Sequence, residues 1–93
     1  MIRSFRSPVA ERIWRGERVR QWAPDLQEVA RRKLRMLNNA QSLMDLRIPP
    51  GNRLEALRGN REGQHSIRIN DQWRICFRWQ GSDAHDVEIV DYH

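Results

Sequence analysis

The spacing of hydrophobic positions changes near residue 50, and that change divides the chain. Before it, Leu26, Val29, Ala30, Leu34, Leu37 and Ala40 recur at intervals of three and four, the rhythm of a helix with one buried face. Pro24 opens this segment, and Asp25 and Glu28 suit its electropositive start. Gln27, Glu28, Arg31, Arg32 and Arg35 are assigned to its wet face. A shorter helix is expected from Pro8 to about Gly16, with Ser7 as N-cap and Val9, Ile13 and Trp14 on the buried side. The run Ile48-Pro49-Pro50-Gly51 then stops any helix and marks a connection.

Beyond the connection the period is two. His65 to Ile69 alternates with His65, Ile67 and Ile69 on one side, and His85 to Tyr92 closes the chain as a last strand. Between them, Trp73, Ile75, Phe77 and Trp79 alternate with Arg74, Cys76 and Arg78, giving one face that builds a core and one that can hold an anion. Arg53 to Leu57 and Met1 to Phe5 read as short strands.

These faces set the register. Ile67 and Ile69 must share a side with Trp73 and Ile75, which requires 67–75 and 69–73 pairs and a loop of Asn70, Asp71 and Gln72. Arg68 then lies directly across from Arg74, a like-charge pair that destabilises a sheet unless something anionic compensates it. A last hairpin paired as 77–87 and 75–89 places Val87 and Ile89 in the core, Asp86 opposite Arg78, and Tyr92 on the arginine face. The expected class is α+β, with two N-terminal helices on one face of a twisted, mainly antiparallel sheet. The order is β-α-α-β-β-β, with Arg53 to Leu57 as a further short strand, in one domain over residues 1–93.

Charge sharpens this picture. The 93 residues carry a formal charge of +5, and lysine supplies only Lys33 among 17 basic residues. A basic balance of this size points to a polyanion or an acidic protein partner, and arginine offers the planar fork that suits phosphate. A GC-rich genome would also favour arginine, so individual positions carry the argument. The last 15 residues hold Asp83, Asp86, Glu88 and Asp91 and no base, and this acidic end is expected to fold back beside basic strands. Cys76 is the single cysteine, so no internal disulfide can form, and its strand position suggests a buried, inert thiol. No apolar run reaches the roughly 20 residues of a membrane span and no signal-peptide pattern opens the chain, so a cytoplasmic location is expected.

Little else in the chain suggests a site. His65 falls on the apolar side of its strand and reads as a satisfied core histidine, and His85 as solvated. Three histidines and one cysteine without metal-ligand spacing argue against a metal. Trp73, Phe77 and Trp79 belong to the core, while Trp14 and Trp22 are open between core and surface roles. Arg31, Arg32 and Arg35 are most simply a solvated helix face, although ribosomal RNA contacts use similar chemistry.

The segments RLEALRGNREGQHSIRINDQWRICFRW (residues 53 to 79) and DVEIVDYH (residues 86 to 93), behind an opening MIRSF and two helices, closely resemble the HigB-type toxins of the RelE/ParE superfamily. The resemblance implies a ribosome-dependent mRNA endoribonuclease, the toxin half of a type II toxin–antitoxin system, cutting mRNA in the ribosomal A site. There the nucleotide's own 2′-hydroxyl attacks the adjacent phosphate, and no metal or other cofactor is needed. By the same resemblance Arg74 clamps the scissile phosphate, Arg58 shares the developing charge, and Tyr92 or His93 moves a proton. Relatives can carry histidine at Glu55 and lysine at Arg58. Arginine cannot deprotonate, so Arg58 cannot be a base, and Glu55, His93 and Tyr92 remain alternatives for that role. Arg68 and Arg61 are assigned to RNA binding. The implied partners are mRNA and ribosomal RNA, and a HigA-like antitoxin with a helix-turn-helix domain through which the pair reaches operator DNA. Two other readings are a ParE-like inhibitor of DNA gyrase on the same scaffold and a plain nucleic-acid-binding module.

Overall fold

The computed structural model describes residues 1–91; Tyr92 and His93 lie outside the described residues. Helix α1 spans Pro8–Trp14, with the Ser7 side chain accepting from the Ala10 amide at 3.3 Å. Its fully buried positions are Ala10 and Ile13, while Val9 and Trp14 are half-buried against the core. Helix α2 spans Pro24–Asn39 with proline in its first turn, and Ala30, Leu34 and Leu37 are fully buried. Two 3₁₀ turns, Leu43–Arg47 and Pro50–Asn52, fill the connection around a cis Ile48–Pro49 bond.

Gln27 departs from the expected wet face of α2, being only 4% exposed. Its Oε1 accepts from the Val19 amide at 2.9 Å, and its Nε2 donates to the carbonyls of Val19 and Trp22, each at 2.7 Å. The side chain thus satisfies the backbone of the α1–α2 loop, whose buried polar groups would otherwise lack partners. Gln27→Ala is expected to cost about 2–4 kcal/mol, because three hydrogen bonds go and buried groups are left unpaired. In urea the unfolding midpoint should drop with an unchanged slope; an unchanged midpoint would contradict this account.

Lys33 also faces inward, at 8% exposure, and its Nζ donates to Asn52 Oδ1 at 2.5 Å. Asn52 is itself fully buried and donates to the Leu46 carbonyl at 3.1 Å. Burial, with Arg32 and Arg68 nearby, holds the Lys33 ammonium below its ordinary pKa. This polar bridge ties α2 to the connection that leads into the sheet.

The sheet contains β1 (Glu55–Ala56), β2 (Gln64–Arg68), β3 (Trp73–Gln80) and β4 (Asp83–Asp91), all antiparallel and in the spatial order β1-β2-β3-β4. Met1 to Phe5 forms two isolated parallel bridges to β4, Ile2 with Ala84 and Phe5 with Val87, in place of a full strand. The inferred register holds for the central hairpin, with Ile67 opposite Ile75 and Arg68 opposite Arg74. It holds for the last hairpin as far as Ile75–Ile89 and Cys76–Glu88.

Beyond that point the ladder shifts by one residue. Asp86 adopts a left-handed backbone (φ 52°), and Arg78 lies across from His85, not from Asp86. This is a bulge in β4: one extra residue bends the strand where Ser4 Oγ accepts from the Asp86 amide and the Ser4 carbonyl accepts from the Val87 amide. The ion pair expected between the two residues survives, with Arg78 Nε 2.8 Å from Asp86 Oδ2.

The core lies between the helices and the sheet and contains Ile13, Val19, Leu34, Leu37, Ile67, Ile75, Phe77 and Val87, none exposed at all. Trp73 and Trp79 pack against it, and so do Trp14 and Trp22, the latter with its ring 4.7 Å from that of Trp73. His65 stacks on Phe77, but its buried Nδ1 has no hydrogen-bond partner among the described residues, so it is less satisfied than expected. The acidic end does fold back onto basic groups: Asp83 pairs with Arg3, Asp86 with Arg78 and Glu88 with Arg61.

Candidate functional site

Directly opposed residues of a sheet share a face, so the pairs Glu55–Ser66, Ser66–Cys76 and Cys76–Glu88 form one row across all four strands. This row lies on the side away from the helices, and Gln64, Arg68, Arg74 and Arg78 share it by alternation. The face has a buried floor, since Ser66 and Cys76 are fully buried and Arg74 is only 8% exposed. Burial pushes the Cys76 thiol above its ordinary pKa, and Arg61, Glu88, Arg74 and Glu55 act on it as well. Glu55 and Glu88 lie in the same cross-strand row as Cys76, and Arg61 reaches that row through its pair with Glu88.

Arg74 donates to oxygens of Ser66 and Arg53. Its Nε donates to Ser66 Oγ at 2.7 Å, and its Nη2 donates to the Arg53 carbonyl at 2.5 Å, with the Ser66 carbonyl at 3.4 Å. Arg61 instead pairs with Glu88 at 2.6 Å and donates to Gln64 Oε1 at 3.1 Å. Arg68 pairs with the exposed Asp71 in the β2–β3 loop. Arg68, the residue opposed to Arg74, thus has a carboxylate partner within the chain.

Glu55 stands exposed on the edge strand, and Arg58 is exposed just before the short turn Gly59–Arg61. The structure therefore brings Glu55, Arg61, Arg68 and Arg74 onto or around one face, with Arg58 in the turn that follows β1. Tyr92 and His93 fall outside the described residues. Ser66, Glu88 and the Arg53 carbonyl contribute contacts that the sequence reading missed. The register already implied Ser66, because a 67–75 pair sets residue 66 on the same face as residue 74. Arranged this way, the face can bind an anion through a fixed guanidinium and place a carboxylate beside it. Among the described residues no group of three or more histidine, cysteine, aspartate or glutamate side chains could hold a metal ion, and no helix is long and apolar enough to cross a membrane.

Because Cys76 is fully buried with its thiol pKa raised, it should react with a thiol-reactive disulfide reagent at pH 8 orders of magnitude more slowly in the folded protein than in denaturant. Equal rates in the two states would contradict the burial.

The same fold occurs in two solved YoeB–YefM toxin–antitoxin complexes from Staphylococcus aureus. They superpose with TM-scores of 0.62 and 0.59 at 18% and 17% identity, covering all of this chain and 98% of each matched chain. The architecture is RelE-like. The sequence profile for the RelE-like toxin of type II toxin–antitoxin system HigB matches residues 3–93. Toxin HigB-1 of Vibrio cholerae serotype O1 is 40% identical over 80 residues, covering 85% of this chain and 84% of that protein. Endoribonuclease HigB of Proteus vulgaris is 42% identical over 41 residues, 44% of this chain and 45% of that protein. The chain belongs to the HigB-like toxin family of type II toxin–antitoxin systems.

Proposed function

We propose that this protein is an endoribonuclease, one toxin domain over residues 1–93 that cleaves mRNA in the ribosomal A site and so arrests translation in the cytoplasm. The observation that carries this reading is the guanidinium of Arg74, fixed on a sheet face that also bears Glu55 and Arg68. The name of the Proteus vulgaris relative supports the activity.

In the proposed reaction a nucleotide's 2′-hydroxyl attacks the adjacent phosphorus. A 2′-oxygen–phosphorus bond forms and the bond from phosphorus to the 5′-oxygen breaks, leaving a 2′,3′-cyclic phosphate and a 5′-hydroxyl. Arg74 binds the phosphate as its charge rises, with Arg58 adding positive charge from the turn after β1. The proton leaving the 2′-hydroxyl goes to Glu55, His93 or Tyr92, and one of the latter two protonates the 5′-oxygen. Arg61 and Arg68 contact the RNA backbone once their carboxylates are displaced. A small antitoxin with a helix-turn-helix domain would neutralise the toxin and carry the pair to operator DNA; the toxin–antitoxin complexes with this fold support an antitoxin partner as such.

End-group analysis of mRNA cut on ribosomes tests the chemistry. Cyclic phosphate on the upstream fragment and a 5′-hydroxyl on the downstream one are expected, whereas 5′-phosphate ends would overturn the mechanism.

A further inference from the structure

A guanidinium clamps a phosphate well only when its planar fork is aimed, and two features aim Arg74. Ser66 is fully buried in the middle of β2, and its hydroxyl accepts from Arg74 Nε at 2.7 Å. Arg53 adopts a left-handed backbone (φ 45°, ψ 57°), a conformation costly for a residue other than glycine. Its carbonyl accepts from Nη2 at 2.5 Å. Both contacts lie on one edge of the guanidinium, the Nε and Nη2 edge, so rotating the fork breaks them together.

The chemistry of these acceptors differs from that elsewhere on the face. Arg61, Arg68 and Arg78 each pair with a carboxylate, which orients the side chain and also offsets its charge. Ser66 Oγ and the Arg53 carbonyl are neutral acceptors, so these two contacts orient the fork of Arg74 without themselves placing a negative charge beside it. In a buried strand row an apolar residue at position 66 would pack as readily but could not accept the Nε hydrogen.

We propose that Ser66 is a positioning residue: its hydroxyl, together with the Arg53 carbonyl, holds Arg74 in the orientation from which it meets the scissile phosphate. This rests on the reading of Arg74 as the phosphate clamp. Ser66 touches no reacting atom and acts through Arg74. Small misplacements of such a group cost rate more than binding.

The test is a double-mutant cycle, measuring cleavage of a defined mRNA on ribosomes by wild type, Ser66→Ala, Arg74→Ala and the double variant. Ser66→Ala should lower kcat by about 10- to 100-fold with little change in KM, and should add nothing further in the Arg74→Ala background. Thermal unfolding is followed in parallel. Should Ser66→Ala fail to fold, Ser66→Thr against Ser66→Val, an isosteric pair differing in the hydroxyl, makes the same comparison, and only threonine should support cleavage. If Ser66→Ala cleaves like wild type while Arg74→Ala is inactive, the positioning role is overturned and the clamp stands; losses that multiply in the double variant overturn it equally. If Arg74→Ala cleaves like wild type, the clamp itself fails.

Discussion

Arg74→Ala is expected to slow cleavage of ribosome-bound mRNA by about a thousandfold and to abolish growth arrest when the toxin is expressed without its antitoxin. Removing one donor aimed at developing charge typically costs about 10²–10³ in rate, and Arg74 would supply both a donor and a full positive charge. The variant also loses the hydrogen bonds to Ser66 and the Arg53 carbonyl. Losing such bonds to a charged group costs about 1–3 kcal/mol of stability, within the total of a domain this size. Circular dichroism at the assay temperature should therefore show a folded protein. Arg74→Lys separates charge from geometry: lysine keeps the charge but presents a point donor where arginine presents a fork, so partial activity between the two is expected. A folded, fully toxic Arg74→Ala protein would contradict the assignment.

Phe77→Ala should have the largest effect on stability. Phe77 is fully buried in the middle of β3, with His65 stacked at 6.4 Å and Trp79 edge-on at 6.4 Å. It also sits at the register shift between Cys76 and Arg78, where β4 gains its extra residue. Truncating a buried phenylalanine costs about 3–5 kcal/mol through lost transfer energy and the cavity left behind. Small domains have only about 5–15 kcal/mol in total, so a melting temperature lower by more than about 12 °C is expected. Calorimetry checks this, and a melting temperature within a few degrees of wild type would show that the core does not depend on this ring. Loss of activity in this variant reports unfolding, unlike the loss in Arg74→Ala.

The contrast between these positions shows what the sequence makes legible. Residues 73 to 79 alternate strictly, so their two faces, and with them the burial of Phe77 and the register that opposes Arg68 to Arg74, follow from the period alone. Helix α2 was legible for the same reason, its apolar spacing extending over several turns. Gln27 was not, because a polar side chain that satisfies a loop's backbone looks in sequence like any other wet residue. Nor was the bulge at Asp86: nothing in the local composition distinguishes a residue with positive φ from its neighbours there, and the contact that accompanies it comes from Ser4, 82 residues away.

The candidate site divides along the same line. Alternation places Arg74 and Arg68 on one face, but only the folded chain shows that Arg68 is paired with Asp71 and Arg61 with Glu88. It also shows that Arg74, nearly buried, donates to Ser66 Oγ and to the Arg53 carbonyl. Alternation suggested an open basic face; on and around it the structure pairs Arg61, Arg68 and Arg78 with carboxylates and seats Arg74 on Ser66 and the Arg53 carbonyl. Ser66 emerges as important from that difference.

The arginine-bearing face is proposed to cut mRNA on the ribosome. Mapping the 5′ ends of a defined mRNA after adding the toxin to translating ribosomes, with the same mRNA free in solution as control, tests it most directly. New ends are expected within the A-site codon on ribosomes and none on the free mRNA. Intact mRNA on ribosomes that have nonetheless been exposed to active toxin, or equal cleavage of the free mRNA, would contradict it.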